Sequence, residues 1–256
     1  MTIAVGVACP EGVVIAADTR SSIQQLPAGH RVASDYAHKV FEIGGSLVGA
    51  AFGWATLENK TISGHVHDFA TQTNLASDVK QASVQLSGFF GQRIQAHIAA
   101  GLDSAPQAGE EPLGFILGGY DSKNVGHIVH AFPYGGSVQD VCQTSHPGGI
   151  WAGQPDAMSR LFMGYDTARL NTSRWAKRNR DALAGVEYLP TFNLFALQDA
   201  IDWATFVVRT TIDTQRFTNG TVASPGAPVT CGGEFEVVTV TPSGGVNWIR
   251  QMTLTA

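Results

Sequence analysis

Four residues of this chain, Thr2, Asp18, Lys39 and Gly53, together have the chemistry to break an amide bond. A threonine hydroxyl attacks a carbonyl carbon only when a base removes its proton. Once Met1 is cleaved off, Thr2 carries such a base on its own backbone, because an α-amine with an ordinary pKa of about 8 accepts protons near neutral pH. Lys39 would tune that amine through its positive charge, and Asp18 would hold Lys39 in place. Gly53 has no Cβ, so a substrate carbonyl can approach its N–H closely enough for a tetrahedral oxyanion to be stabilised. Each residue also has an everyday structural use: an aspartate at a strand end satisfies turn N–H groups, and a lysine at a strand start is an edge charge. Only convergence on one spot argues for chemistry.

Two hairpins would bring the four together. Residues 3–9 alternate large and small, residues 13–17 are continuously apolar, and Cys9-Pro10-Glu11-Gly12 between them reads as a tight turn. Facing residues then sum to about 21, which sets Thr2 opposite Thr19 and beside Asp18. The second hairpin pairs 39–43 with 46–52 around Gly44-Gly45; its facing residues sum to about 89, so Lys39 and Gly53 share an edge. Helical spacing follows over roughly 54–73 and 77–99, then strands at 113–119, 126–132 and near 149–152, and a short helix at 155–165. The polar stretch 170–193 reads as an insertion, 195–214 as a helix, and 234–240 with 246–253 as a closing hairpin. Strands and helices in separate runs predict a layered α+β sandwich rather than a doubly wound sheet.

Composition narrows the classes. With 256 residues, one large domain is expected over 1–256, carrying insertions near 170–193 and 216–230. Apolar residues at 44% against charged residues at 14% predict extensive burial in a core or a subunit interface. The net charge of −5 and a single short basic run at 174–180 argue against nucleic acid. Cys9, Cys142 and Cys231 have no paired spacing, which predicts free thiols in a reducing, cytoplasmic setting. The apolar N-terminus lacks a basic leader and is broken by Pro10, Glu11 and Gly12, and no run suits a membrane span. The triplets starting at Asn59, Asn171 and Asn219 are then chance matches to a glycosylation pattern. His65 with His67, and His127 with His130, lack a third ligand at clear spacing, so neither a metal nor a cofactor is expected. Cys231 reads as a buried thiol, and GGYDSKNVG at 118–126 as a hairpin turn without a phosphate-loop signature.

Thr2, GVVIAADTRSS at 12–22, HKVFEI at 38–43 and LVGAAFGWA at 47–55 resemble the proteasome β-subunit family, including its bacterial relatives of the HslV and Anbu type. Fainter similarity covers FILGGYDSK and IWAGQPDA, and it returns over 195–240. The resemblance implies an N-terminal-nucleophile (Ntn) hydrolase with a four-layer αββα sandwich. It further implies a threonine protease cleaving unfolded protein or peptide inside a homo-oligomeric ring or spiral, to which an AAA+ unfoldase could deliver substrate. By the same resemblance Thr2 is the nucleophile, Asp18 and Lys39 its partners, and Gly53 the oxyanion donor, with Asp213 supporting the amino terminus. Arg20 and Ser22 would meet substrate, and Phe41, Ala51 and Ala55 would line a pocket of apolar preference.

Three departures stand out. Ala152 occupies the place of the family's supporting serine, the Asp18-to-Lys39 loop is long, and FTNGTVASPGAPVTC intervenes before Gly232-Gly233. A second supporting hydroxyl or thiol would fall to Thr221, Thr230 or Cys231. Two rival readings keep the fold: an amidohydrolase for small amides, and a catalytically silent scaffold subunit.

Overall fold

The computed structural model describes residues 2–25, 29–166, 170, 173–218 and 229–253. The first hairpin forms as strands β1 (Ile3–Cys9) and β2 (Gly12–Asp18), every residue of which is buried. That burial explains why the two runs are apolar without a polar alternate. Their register, Ala4 opposite Ala17 through Cys9 opposite Gly12, sums to 21 as expected. The second hairpin forms as β5 (Val40–Ile43) and β6 (Leu47–Gly53). Its register sums to 90, one residue off expectation, with Val40 opposite Ala50. The cause is a three-residue turn: Gly44 and Gly45 both take positive φ (63° and 72°), and Ser46 N–H bonds back to Ile43 O at 3.4 Å.

Two five-stranded antiparallel sheets carry the fold. One runs β12-β1-β2-β13-β14, with β12 at Gly148–Gly153, β13 at Phe235–Thr241 and β14 at Gly245–Arg250. The other runs β11-β10-β9-β6-β5, with β9 at Leu113–Tyr120, β10 at Gly126–Phe132 and β11 at Ser137–Gln143. Ile15, Val13, Ala17 and Val238 of the first sheet share one apolar cluster with Val48, Ala50, Ile116 and Ile128 of the second. A second cluster joins β5, β6, β9 and β10 to helices α1 (Ile62–Gln72) and α2 (Val79–Ala99). A third joins β1 and β2 to helix α3 (Leu197–Phe217). Thr61 and Asp78 cap α1 and α2 through their side-chain oxygens, and Asp199 accepts from Ala196 N–H at the start of α3. The chain is thus α+β.

Several elements depart from the sequence expectation. The helix expected over 54–73 begins only at Ile62, because Thr56–Leu57 (β7) and Lys60–Thr61 (β8) make a small hairpin around Glu58 and Asn59, both at positive φ. The long loop after Asp18 contains a hairpin of its own, β3 (Ser21–Gln25) and β4 (Gly29–Ser34), which pairs with neither large sheet. β11 gives little sign in the sequence because four of its seven residues are polar and Val141 is exposed. The region 155–165 holds a short turn at Asp156–Met158 followed by a π-helical turn at Ser159–Met163. The stretch 170–193, expected as an insertion, includes short helices at Arg174–Arg178 and Arg180–Ala184. Of the other expected insertion, near 216–230, residues 219–228 lie outside the described residues.

Candidate active site

Asp18, at the end of β2, is the hub of the site. Its carboxylate is fully buried. Oδ1 accepts from Ile3 N–H at 3.1 Å and from the Lys39 ammonium at 2.8 Å. Oδ2 accepts from Gly232 N–H at 3.0 Å and Arg20 N–H at 3.3 Å. The β1–β2 register brings Ile3 to Asp18, so the residue before it, Thr2, sits at the same edge. Lys39 comes from the other sheet: it lies just before β5, and its carbonyl accepts from Ala51 N–H at 3.1 Å. Both Thr2 and Lys39 are buried in their surroundings, yet both line a cleft of about 230 Å³. Arg20, Ser22, Ala51, Gly53 and Ala55 line the same cleft.

Gly53 ends β6 with φ +101°, and a Cβ there would stand 2.2 Å from the Pro112 carbonyl oxygen, so only glycine fits. A second such position escaped the sequence reading. Gly153 ends β12 at φ +92°, opposite Ile3, and a Cβ on it would lie 1.9 Å from the Thr2 carbonyl oxygen. The signal was present in Trp151-Ala152-Gly153, but a glycine after a strand reveals nothing of the strand it touches.

Arg20 is held as a fork on Asp35, with Nε at 2.6 Å and Nη2 at 3.0 Å from the two carboxylate oxygens; Nη1 donates to Val229 O at 3.3 Å. This pairing holds the Asp35 carboxyl below the usual carboxylate range and raises Arg20. The fork closes the root of the β3–β4 hairpin beside Asp18. Asp35 is a residue that sequence reasoning missed; its partner lies fifteen positions away across a hairpin that was read as loop.

Other expected residues are placed elsewhere. Phe41 lies outside the cleft: strand alternation turns its ring over Gly49, its cross-strand partner, and edge-on to Phe115 at 6.0 Å in the core. Asp213 does not join Thr2. Its side chain is exposed, 3.9 Å from Arg216, and it lines a separate cleft of about 550 Å³ that Arg20 borders from the other side. Ala152 is buried in the cluster shared by the two sheets. Thr230 and Cys231 are both fully buried and both bonded to Gln215 Oε1 through their N–H groups, at 3.0 and 2.9 Å; Thr221 lies outside the described residues. Burial pushes the Cys231 thiol far above its ordinary pKa.

Among the described residues no group of three His, Cys, Asp or Glu could hold a metal ion. His65 is buried with Nε2 at 2.9 Å from Leu57 O, while His67 is exposed. His127 lies between Asp140 and Asp121, and His130 is packed against Phe132 and Phe52. No helix of the described residues is long and apolar enough to cross a membrane.

No family model matches the sequence, and no curated protein matches it. Among solved structures, the fold is similar to that of an Anbu (Gly-1) mutant from Hyphomicrobium sp. strain MC1. The TM-score is 0.55 at 15% identity, over 97% of this chain and 87% of that one. Identity at this level speaks for the fold alone, and the chain has a proteasome-like α+β fold.

Proposed function

We propose that the chain is a proteasome-like threonine peptidase, a single αββα Ntn-hydrolase domain in which Thr2, freed of Met1, is the nucleophile. The observation that carries this reading is the buried Lys39–Asp18 ion pair at 2.8 Å, at the edge where Thr2 opens on the cleft. The Thr2 amine takes the hydroxyl proton as Oγ1 attacks the peptide carbonyl. The oxyanion is met by the Gly53 N–H, and the proton passes to the departing amine. An acyl ester on Thr2 remains, and water, activated by the same amine, hydrolyses it. Lys39 keeps the amine unprotonated through its charge, and Asp18 fixes Lys39. Ser21 and Ser22, at the start of β3 along the cleft, offer backbone to an extended substrate, and Ala51 and Ala55 leave room for its side chain. In this reading copies of the chain form a cytoplasmic homo-oligomeric ring or spiral that needs no metal or organic cofactor, and an AAA+ unfoldase feeds it unfolded protein.

The buried methyl of Ala152, where the family resemblance expects a hydroxyl, favours one second reading: a silent scaffold subunit. Intact mass of the native protein and labelling by a peptide vinyl sulfone separate the two. A peptidase lacks Met1 and is labelled at Thr2, with the label lost in Thr2→Ala. A native mass that retains Met1, or labelling unaffected by Thr2→Ala, would refute the nucleophile assignment. Fluorogenic peptides against small amides then separate a peptidase from an amidohydrolase.

A further inference from the structure

One residue before Lys39 stands a second side-chain pair that no step above uses. His38 lines the same cleft as Thr2, and its Nδ1 lies 2.9 Å from Oε1 of Glu236. A carboxylate offers only acceptors, so the imidazole donates. Glu236 belongs to β13, where it faces Ala17, the residue before Asp18. It is fully buried; Met252 N–H gives Oε1 a second bond at 3.3 Å, and Oε2 has no hydrogen-bond partner. A carboxylate enclosed in this way depends on hydrogen-bond donors beside it, and among the described residues His38 is the side chain that reaches it.

Two consecutive residues entering the second sheet therefore grip two adjacent strands of the first. His38 holds Glu236 of β13, and Lys39 holds Asp18 of β2. The backbone on either side is bonded too, Ala37 N–H to Thr19 O at 2.9 Å and Ala51 N–H to Lys39 O at 3.1 Å, and the His38 side chain adds the hold on β13. We propose that the His38–Glu236 pair is a positioning device for Lys39, locking the chain that enters β5 so that the ammonium stays on Asp18 beside Thr2. Its functional meaning rests on the reading of Thr2 as nucleophile, but the stitch itself does not.

The full-length protein tests this through two readouts. The first is pulsed acetylation with acetic anhydride, read lysine by lysine in a mass spectrometer. The Lys39 side chain is 9% exposed against 43% for Lys60 and 47% for Lys80, so Lys39 reacts slowly in the wild type. His38→Ala, and the near-isosteric Glu236→Gln, speed Lys39 acetylation by about tenfold and leave Lys60 and Lys80 unchanged. His38→Asn, which keeps a donor, restores the slow rate. Unchanged Lys39 rates overturn the proposal, as does equal acceleration of all three lysines, which reports general loosening.

The second readout is the rate of Thr2 alkylation by a peptide vinyl sulfone, whose β-carbon bonds to Oγ1 while the α-carbon takes the proton, per labelled site, across pH. An ammonium that has drifted off no longer disfavours protonation of the Thr2 amine. That amine's pKa rises, the acidic limb moves to higher pH, and the limiting rate falls by about tenfold to a hundredfold with little change in KM. The charged groups around the terminus are Asp18, Lys39, the Arg20–Asp35 fork and the His38–Glu236 pair itself. Loss of the Glu236 charge acting directly would lower the Thr2 amine's pKa in Glu236→Gln, whereas positioning raises it in both variants. Opposite shifts, or a rise in KM alone as for a substrate contact, overturn the proposal. A wild-type protein that never labels at Thr2 overturns the nucleophile reading, and the acetylation result still decides the stitch.

Discussion

Replacing Asp18 by asparagine removes the charge at the hub while keeping its shape. The carboxylate takes four donors, from Ile3, Arg20, Gly232 and Lys39, with no exposure to water. At the 2.8 Å separation from Lys39 the bare attraction is about 6 kcal/mol at an effective dielectric of about 20, and desolvation of both ions opposes it. The net effect is better judged from removal of one partner of a buried pair, which destabilises by about 3–5 kcal/mol. Asparagine turns one acceptor into an NH2 facing a donor and strips Lys39 of its counter-ion. The expected loss is about 4 kcal/mol, or a fall in Tm of roughly 8–16 °C for a chain of this size. The assay is urea and thermal unfolding at pH 7 of the wild type, Asp18→Asn, Lys39→Met and the double variant. The double variant leaves neither charge unpaired, so its loss falls short of the sum by at least about 1 kcal/mol. An Asp18→Asn protein within about 1 kcal/mol of wild type, or strict additivity in the cycle, would refute the idea that this carboxylate organises the site.

Gly153→Ala forces a methyl into the Thr2 carbonyl at a backbone φ of +92°; a loss of about 3 kcal/mol or more in urea unfolding is expected, with slower Thr2 labelling. Burial pulls the His130 imidazole from 6.5 down to about 4. The unfolded chain therefore binds the proton first as pH falls: stability is undiminished above 6.5 and drops by about 3 kcal/mol between 6.5 and 4. His130→Leu shows a correspondingly shallower decline across that window, and an identical decline would disprove the assignment. Burial raises the Cys9 thiol, pushes Cys142 up to about 12 and carries Cys231 further. Ellman's reagent at pH 8 accordingly finds no reactive thiol in the native protein and all three after denaturation.

The parts of the fold written in the sequence are those fixed by local chemistry. The β1–β2 register followed from one turn with Pro10 and Glu11 at its centre, and that register alone carries Ile3, and Thr2 with it, to Asp18. The β5–β6 register slipped by one because two adjacent glycines allow turns of two or three residues alike, and the sequence does not choose between them. Phe41 was expected in the cleft on family resemblance, but Gly49 across the ladder leaves a hole that a phenyl ring fills. The Arg20–Asp35 fork spans a polar hairpin with no apolar alternation to announce it, and the His38–Glu236 pair joins residues 198 positions apart. Gln215, which gathers Thr230 and Cys231, gave no sign because an amide on a helix is ordinary until a loop arrives beside it.

The clamp between Arg20 and Asp35 ties off the β3–β4 excursion at its base. Beyond it the strands Ser21–Gln25 and Gly29–Ser34 pair only with each other, apart from the sheets that set the spacing of Asp18 and Lys39. Exposed Ile23 and Val32 thereby become attachment points: a fluorescent reporter or an affinity handle joined to either, once changed to cysteine, would leave the machinery behind the clamp with its dimensions.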